Sequence, residues 1–138
     1  MDQEDVDLTV RLARWMGWRE NHPGADVGGV DVFDTFSPPD PVVVTRYSQR
    51  AQRREAWHPL TRPDPAAEIM AEAVRRGGRV ETVIQCGRPP FTIAHVYLKG
   101  SGPDLVHGEG VSEDAEPARS WCRAVCLAVL AAEEGLSR

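Results

Sequence analysis

The chain has 138 residues, with 16 Lys+Arg against 21 Asp+Glu, a net charge of −5 and a hydrophobic fraction of 41%. These values fit one globular domain, 1–138, and argue against a disordered or fibrous chain. Apolar runs fall well short of the roughly 18 residues of a membrane span, no signal-like segment opens the chain, and three cysteines do not make a disulfide scaffold; a cytoplasmic protein is expected.

The charge is unevenly placed. Residues 1–45 carry nine acids and three arginines, residues 46–79 eight arginines and four acids, and residues 80–138 five basic and eight acidic side chains. A basic middle in an acidic chain marks either a partner surface or an internal match between segments of opposite charge. Fifteen of the sixteen cations are arginine; Lys99 is the exception.

In chain order, a first helix is expected over 4–16. Leu8, Leu12, Trp15 and Met16 make its apolar stripe, acids crowd its start, and Gly17 stops it. Residues 19–56 read as an irregular, decorated loop or insertion, broken by Gly28-Gly29 and Pro38-Pro39. Short strands are possible at Val30, Val32 and Phe33 and at 42–45. Residues 46–56 have the spacing of a short basic helix, with Arg46, Arg50, Arg53 and Arg54 on one face. A second helix is expected over 65–76, with Asp64 as N-cap and Pro65 at the first helical position. Its apolar face is Ala66, Ile69, Met70, Ala73 and Val74, and Glu72 and Arg76 pair on its wet side.

Three strands then follow. Residues 79–86 alternate, with Val80, Thr82, Ile84 and Cys86 on one face. Residues 91–99 are apolar on both faces, as a central strand would be, and 105–111 form a weaker strand interrupted by Gly108 and Gly110. The last helix spans 115–134, capped by Ser112 or Asp114 and ended by Gly135. Ala118, Trp121, Cys122, Val125, Val129 and Ala132 form its stripe, and it is apolar enough to serve a dimer. The fold expected is α+β, a small three-stranded antiparallel sheet packed with N-terminal, middle and C-terminal helices.

Chemistry-bearing residues are few. Cys122 and Cys126, four apart on one helix, have a spacing that suits two metal ligands, but no second ligand pair accompanies them, so buried core thiols and no metal are expected. His95 and His107 lie on neighbouring strands and meet if those strands form a tight hairpin. With Glu81 or Glu109 nearby, they are the candidates for acid–base chemistry in a small hydrolase. No phosphate-cradling loop, nucleophile motif or metal-binding signature is present, and no cofactor is expected. The arginine face at 46–54, with Tyr47 and Trp57 for stacking, is the candidate nucleic-acid surface, against which stands the acidic net charge.

Two families share patterns with the chain. Leu12-Ala13-Arg14-Trp15-Met16-Gly17-Trp18 resembles the close of the first helix in the phage ABA-sandwich domain family. Trp57-His58-Pro59 through Pro63-Asp64-Pro65 is similar to that family's aromatic-Pro entry to a helix, and residues 118–128 match its last helix in kind. The resemblance covers most of the chain and implies an α+β sandwich from phages or prophages with no catalytic residue carried over. Residues 19–56 depart from it. Pro90-Phe91 and Gly108-Glu109-Gly110-Val111-Ser112 also resemble the double-stranded RNA-binding domain. Where that family needs lysines, this chain has Glu113-Asp114-Ala115-Glu116, so the similarity is one of topology.

The expectation is therefore a non-enzymatic accessory protein, acting by protein binding and inhibiting a bacterial defence system. Its candidate partner-binding residues are Arg46, Tyr47, Arg50, Arg53, Arg54, Trp57 and His58, since exposed arginines and aromatics are the usual anchors of an interface.

Overall fold

The structure, a computed structural model, describes residues 3–21, 32, 36–40, 43, 57–85, 87 and 89–136. Its elements are α1 (Gln3–Trp15), β1 (Arg19–Glu20), β2 (Phe36–Ser37), α2 (Pro63–Arg75), β3 (Arg79–Gln85), β4 (Phe91–Lys99), β5 (Leu105–Glu113) and α3 (Pro117–Leu136). This is an α+β fold. The chain divides into two compact units, Met1–His58 and Pro59–Arg138. No helix among the described residues is long and apolar enough to cross a membrane.

In the first unit, α1 buries Val6, Thr9, Leu12, Ala13 and Trp15. The buried stripe therefore lies one step round from the expected one, with Leu8 and Met16 only half-buried. Thr9 can sit inside because its hydroxyl donates to the Asp5 carbonyl at 2.7 Å. Gly17 ends the helix at φ 81°. Its N–H reaches the Arg14 carbonyl at 3.0 Å and that of Trp18 reaches Ala13 at 3.1 Å, the two bonds of a Schellman cap. β1 and β2 pair antiparallel, Arg19 with Ser37 and Glu20 with Phe36. Val32 and Val43, expected in strands, are both helical. The Val43 N–H bonds to the Asp40 carbonyl three residues earlier, which curls the chain instead of extending it. The suggested basic helix at 46–56 lies outside the described residues.

The second unit is a sheet with order β3-β4-β5, all antiparallel, so β4 is central as its two-faced apolarity predicts. α3 packs on β5 and β4, and α2 on α3 and β3. Thr92, Ala94, Val96 and Leu98 of β4 are buried beneath these helices, as are Ile69 of α2 and Val125 and Val129 of α3. Along its apolar side α3 buries Cys122, Val125, Cys126, Val129 and Leu130. Gly108 and Gly110 do not interrupt β5, which runs on to Glu113. They admit the helix: a Cβ at 108 would overlap the Ala132 amide and Ala128 carbonyl, and one at 110 the Ala124 carbonyl.

Three expected helix boundaries are corrected. The N-cap of α2 is Arg62, not Asp64, with extended φ −114° and ψ 129°. Pro63 forces that conformation on its predecessor and itself starts the helix, leaving Asp64 in the first turn. Ser112 is a strand residue paired with Thr92, while the Asp114 carboxylate accepts the Glu116 N–H at 2.9 Å just ahead of α3. Gly135 does not stop α3, which continues to Leu136; there its missing side chain leaves room for Val106.

Candidate functional site

The helices cover one face of the sheet in the second unit. The other face is laid out in cross-strand rows fixed by register. Tyr97 lies between Arg79 and His107, His95 between Glu81 and Glu109, Ile93 between Val83 and Val111, and Phe91 between Gln85 and Glu113. Each row mixes strands distant in sequence, because alternation sends every second residue of each strand to this side.

The row of Tyr97 is a stack. The Arg79 guanidinium carbon sits 4.4 Å from the Tyr97 ring centroid. The His107 ring stacks with Tyr97 at 4.8 Å and 27°. Arg79 also pairs with Glu81 at 3.3 Å. Exposed as both groups are, that ion pair adds little to stability.

His107 also meets His95. Nδ1 of His95 and Nε2 of His107 are 2.8 Å apart, within hydrogen-bond range. The ring centroids are 5.1 Å apart and the planes 20° from parallel. That separation is what an edge-to-edge N–H···N bond leaves between two imidazoles, so the nitrogens face each other across a single proton. One ring donates and the other accepts, in complementary tautomers; two protonated rings would have no acceptor. The hairpin thus brings the two histidines together, although they are diagonal neighbours: His95 is directly opposite Glu109, and His107 opposite Tyr97. The pair can hold or pass a proton. No serine, threonine or cysteine stands in the rows around it.

Of the seven expected anchors, Trp57 and His58 are described. Arg46, Tyr47, Arg50, Arg53 and Arg54 lie outside the described residues. Trp57 and His58 are buried, 1% and 4% exposed, which removes the exposure on which their role as anchors was argued. Trp57 instead packs on Trp18, ring centroids 4.4 Å apart at 45°. Trp57 was read as an exposed aromatic, and the tryptophan that meets it lies far back in sequence.

Cys122 and Cys126 are free, buried thiols. Burial pushes Cys122 up to about 11 and Cys126 well above the ordinary thiol range. The Cys126 thiol donates to the Pro59 carbonyl at 3.3 Å. Such protonated, enclosed groups are poor nucleophiles and poor ligands; among the described residues no three ligating side chains cluster. Cys86 lies outside the described residues. A further buried polar set, Thr92, Ser120 and the Ser112 carbonyl, is internally satisfied: Thr92 and Ser120 hydroxyls are 3.0 Å apart, and Ser120 donates to Ser112 at 2.7 Å. It ties α3 to the sheet.

Sequence reasoning missed the apolar row. Val83 and Val111 are 52% and 50% exposed, flanking the half-buried Ile93. The signal was the odd-numbered apolar residues of β3, β4 and β5, which become one row only once both registers are known. An open pocket of about 220 Å³ lies apart from these rows, between the 100–104 turn and the end of α3, lined by Asp104, Val106 and Leu136 among others. No protein-family model, curated protein or solved structure matches the chain.

Proposed function

We propose that this protein acts by binding a protein partner, without chemistry of its own, through the open face of the β3-β4-β5 sheet. The observation that supports it is the row of Val83, Ile93 and Val111, apolar and half in water on a face that the helices of its unit leave bare. On one side of it stand Glu81, His95 and Glu109, and on the other Phe91 between Gln85 and Glu113, so an apolar centre is bordered by polar groups, as in protein–protein interfaces. On the resemblance to the phage ABA-sandwich family, the partner is a host protein, with a component of a bacterial defence system as the first candidate class.

A capture experiment from bacterial lysate tests this, with the wild-type chain beside Val111→Asp. Circular dichroism checks that the variant keeps its fold. A partner held by the wild type and released by the variant supports the reading. Capture of nothing above background, or equal capture by both chains, would overturn it.

One observation favours a second reading. The 2.8 Å contact of His95 with His107 is the geometry an acid–base pair needs. Under that reading, turnover of chromogenic ester or phosphate substrates would appear in the wild type and vanish in His107→Ala. The nucleic-acid reading rests on the arginines at 46–54; salt-sensitive retardation in a gel-shift experiment is its test.

A further inference from the structure

We infer that strand β3 is a self-association edge, through which two copies of this chain join their sheets antiparallel. The inference stands on the edge of β3 and shares only Val83 with the row proposed for partner binding.

β3 pairs with β4 on one side only. Among the described residues, no hydrogen bond reaches the main chain of 79–85 from its outer side. An edge of this kind presents a row of unpaired N–H and C=O groups, whose natural complement is another extended strand. The side chains say the same. Val83 points to the open face and is 52% exposed; Ile84 points to the helix side and is 51% exposed. A partner lying flat on the open face would cover Val83 and leave Ile84 in water. Only a partner that docks edge-on covers both.

The occupant that fits is a second β3. Set antiparallel to itself about Val83, the strand places Val83 against its copy, Glu81 against Gln85 and Thr82 against Ile84. No like charges meet in this register, and a two-fold axis requires the surface to be its own complement. The row of Val111, Ile93 and Val83 then runs on through Val83, Ile93 and Val111 of the second copy, one apolar band across six strands. β5, the other edge of the sheet, carries two acids on the open face, Glu109 and Glu113, where β3 carries Glu81 alone.

Sedimentation velocity over a concentration series tests the edge. The wild-type chain should pass from monomer to dimer as concentration rises. Val83→Lys and Val83→Glu should each stay monomeric, because each places like charges directly opposite one another. An equimolar mixture of the two should dimerise, since the lysine of one chain then meets the glutamate of the other; this recovery separates a lost interface from a lost fold. Val111→Asp, far from the edge, should dimerise as the wild type does. A wild type that stays monomeric throughout, a Val83→Lys chain that dimerises unimpaired, or a mixture that stays monomeric would each overturn the inference.

Discussion

The smallest side chains in the sheet do the most to place the largest helix. Gly108 and Gly110 are successive same-face positions of β5, and on α3 they meet Ala124, Ala128 and Ala132, spaced four apart on one stripe. Glycine against alanine lets the helix lie closer to the strand than any larger pair would, which is why both glycines are buried in mid-strand. A methyl at 108 meets helix backbone, which cannot rotate away as a flexible side chain would. Gly108→Ala should therefore cost about 2–3 kcal/mol, the range of overpacking a tight core. Gly102, in the turn between β4 and β5, has open space where its Cβ would be. Gly102→Ala should stay within about 0.5 kcal/mol of the parent. Urea unfolding of the two variants checks the contrast, and equal losses at both positions would refute the close-approach account.

Helix α2 shows how local chemistry sets an element's edges. Pro63 begins it, and Gly77, at φ 84°, ends it with the same pair of bonds that closes α1: Gly77 N–H to Val74 and Gly78 N–H to Ala73. In its last turn Glu72 accepts from Arg75 Nε at 2.7 Å and Arg76 Nε at 2.8 Å. The hydrogen bond from Arg75, with that from Arg76 behind it, holds the Glu72 carboxyl below its ordinary 4.5, against the opposing effect of partial burial. A carboxylate lowered on folding adds stability in full above its ordinary value and loses it as pH falls through the folded value. Glu72→Gln should thus cost under about 1 kcal/mol near neutral pH, and the difference from wild type should shrink toward zero in unfolding curves at about pH 3. A gap that persists undiminished in acid would mean that packing, and not charge, is what Glu72 supplies. The helix, its Glu72–Arg76 pair and its glycine stop were legible in the sequence because each depends on residues within a turn of one another. So were β3, β4 and β5 as strands, and the meeting of His95 with His107, since the 100–104 turn puts both on the same face. The burial of Trp57 was not legible, because it depends on Trp18, and neither was the Val83–Ile93–Val111 row, which needs two registers at once.

At the scale of the whole chain, the division after His58 makes a claim about where folding autonomy lies. The second unit holds an antiparallel sheet whose strands are all joined by short connections, with two helices on one face, so its contacts are mostly local in sequence. Its interior draws on every layer: Leu60 and Ile69 at the start, Ala94, Val96 and Leu98 from β4, Val125, Cys126 and Val129 from α3. Its first residue is tied in as well, by the Cys126 thiol on the Pro59 carbonyl. A chain of residues 59–138 should then fold alone, with a core of its size giving no more than about 3–5 kcal/mol. It should melt in one cooperative transition. Hydrogen exchange should be slowest in β4, which is bonded on both sides and roofed by α3. Circular dichroism, thermal unfolding and exchange on that fragment test all three. A fragment with the spectrum of a random coil would place the folding unit at the full chain. An intact one would also carry the β3 edge and the open face unchanged, so that self-association and partner capture become measurable without residues 1–58.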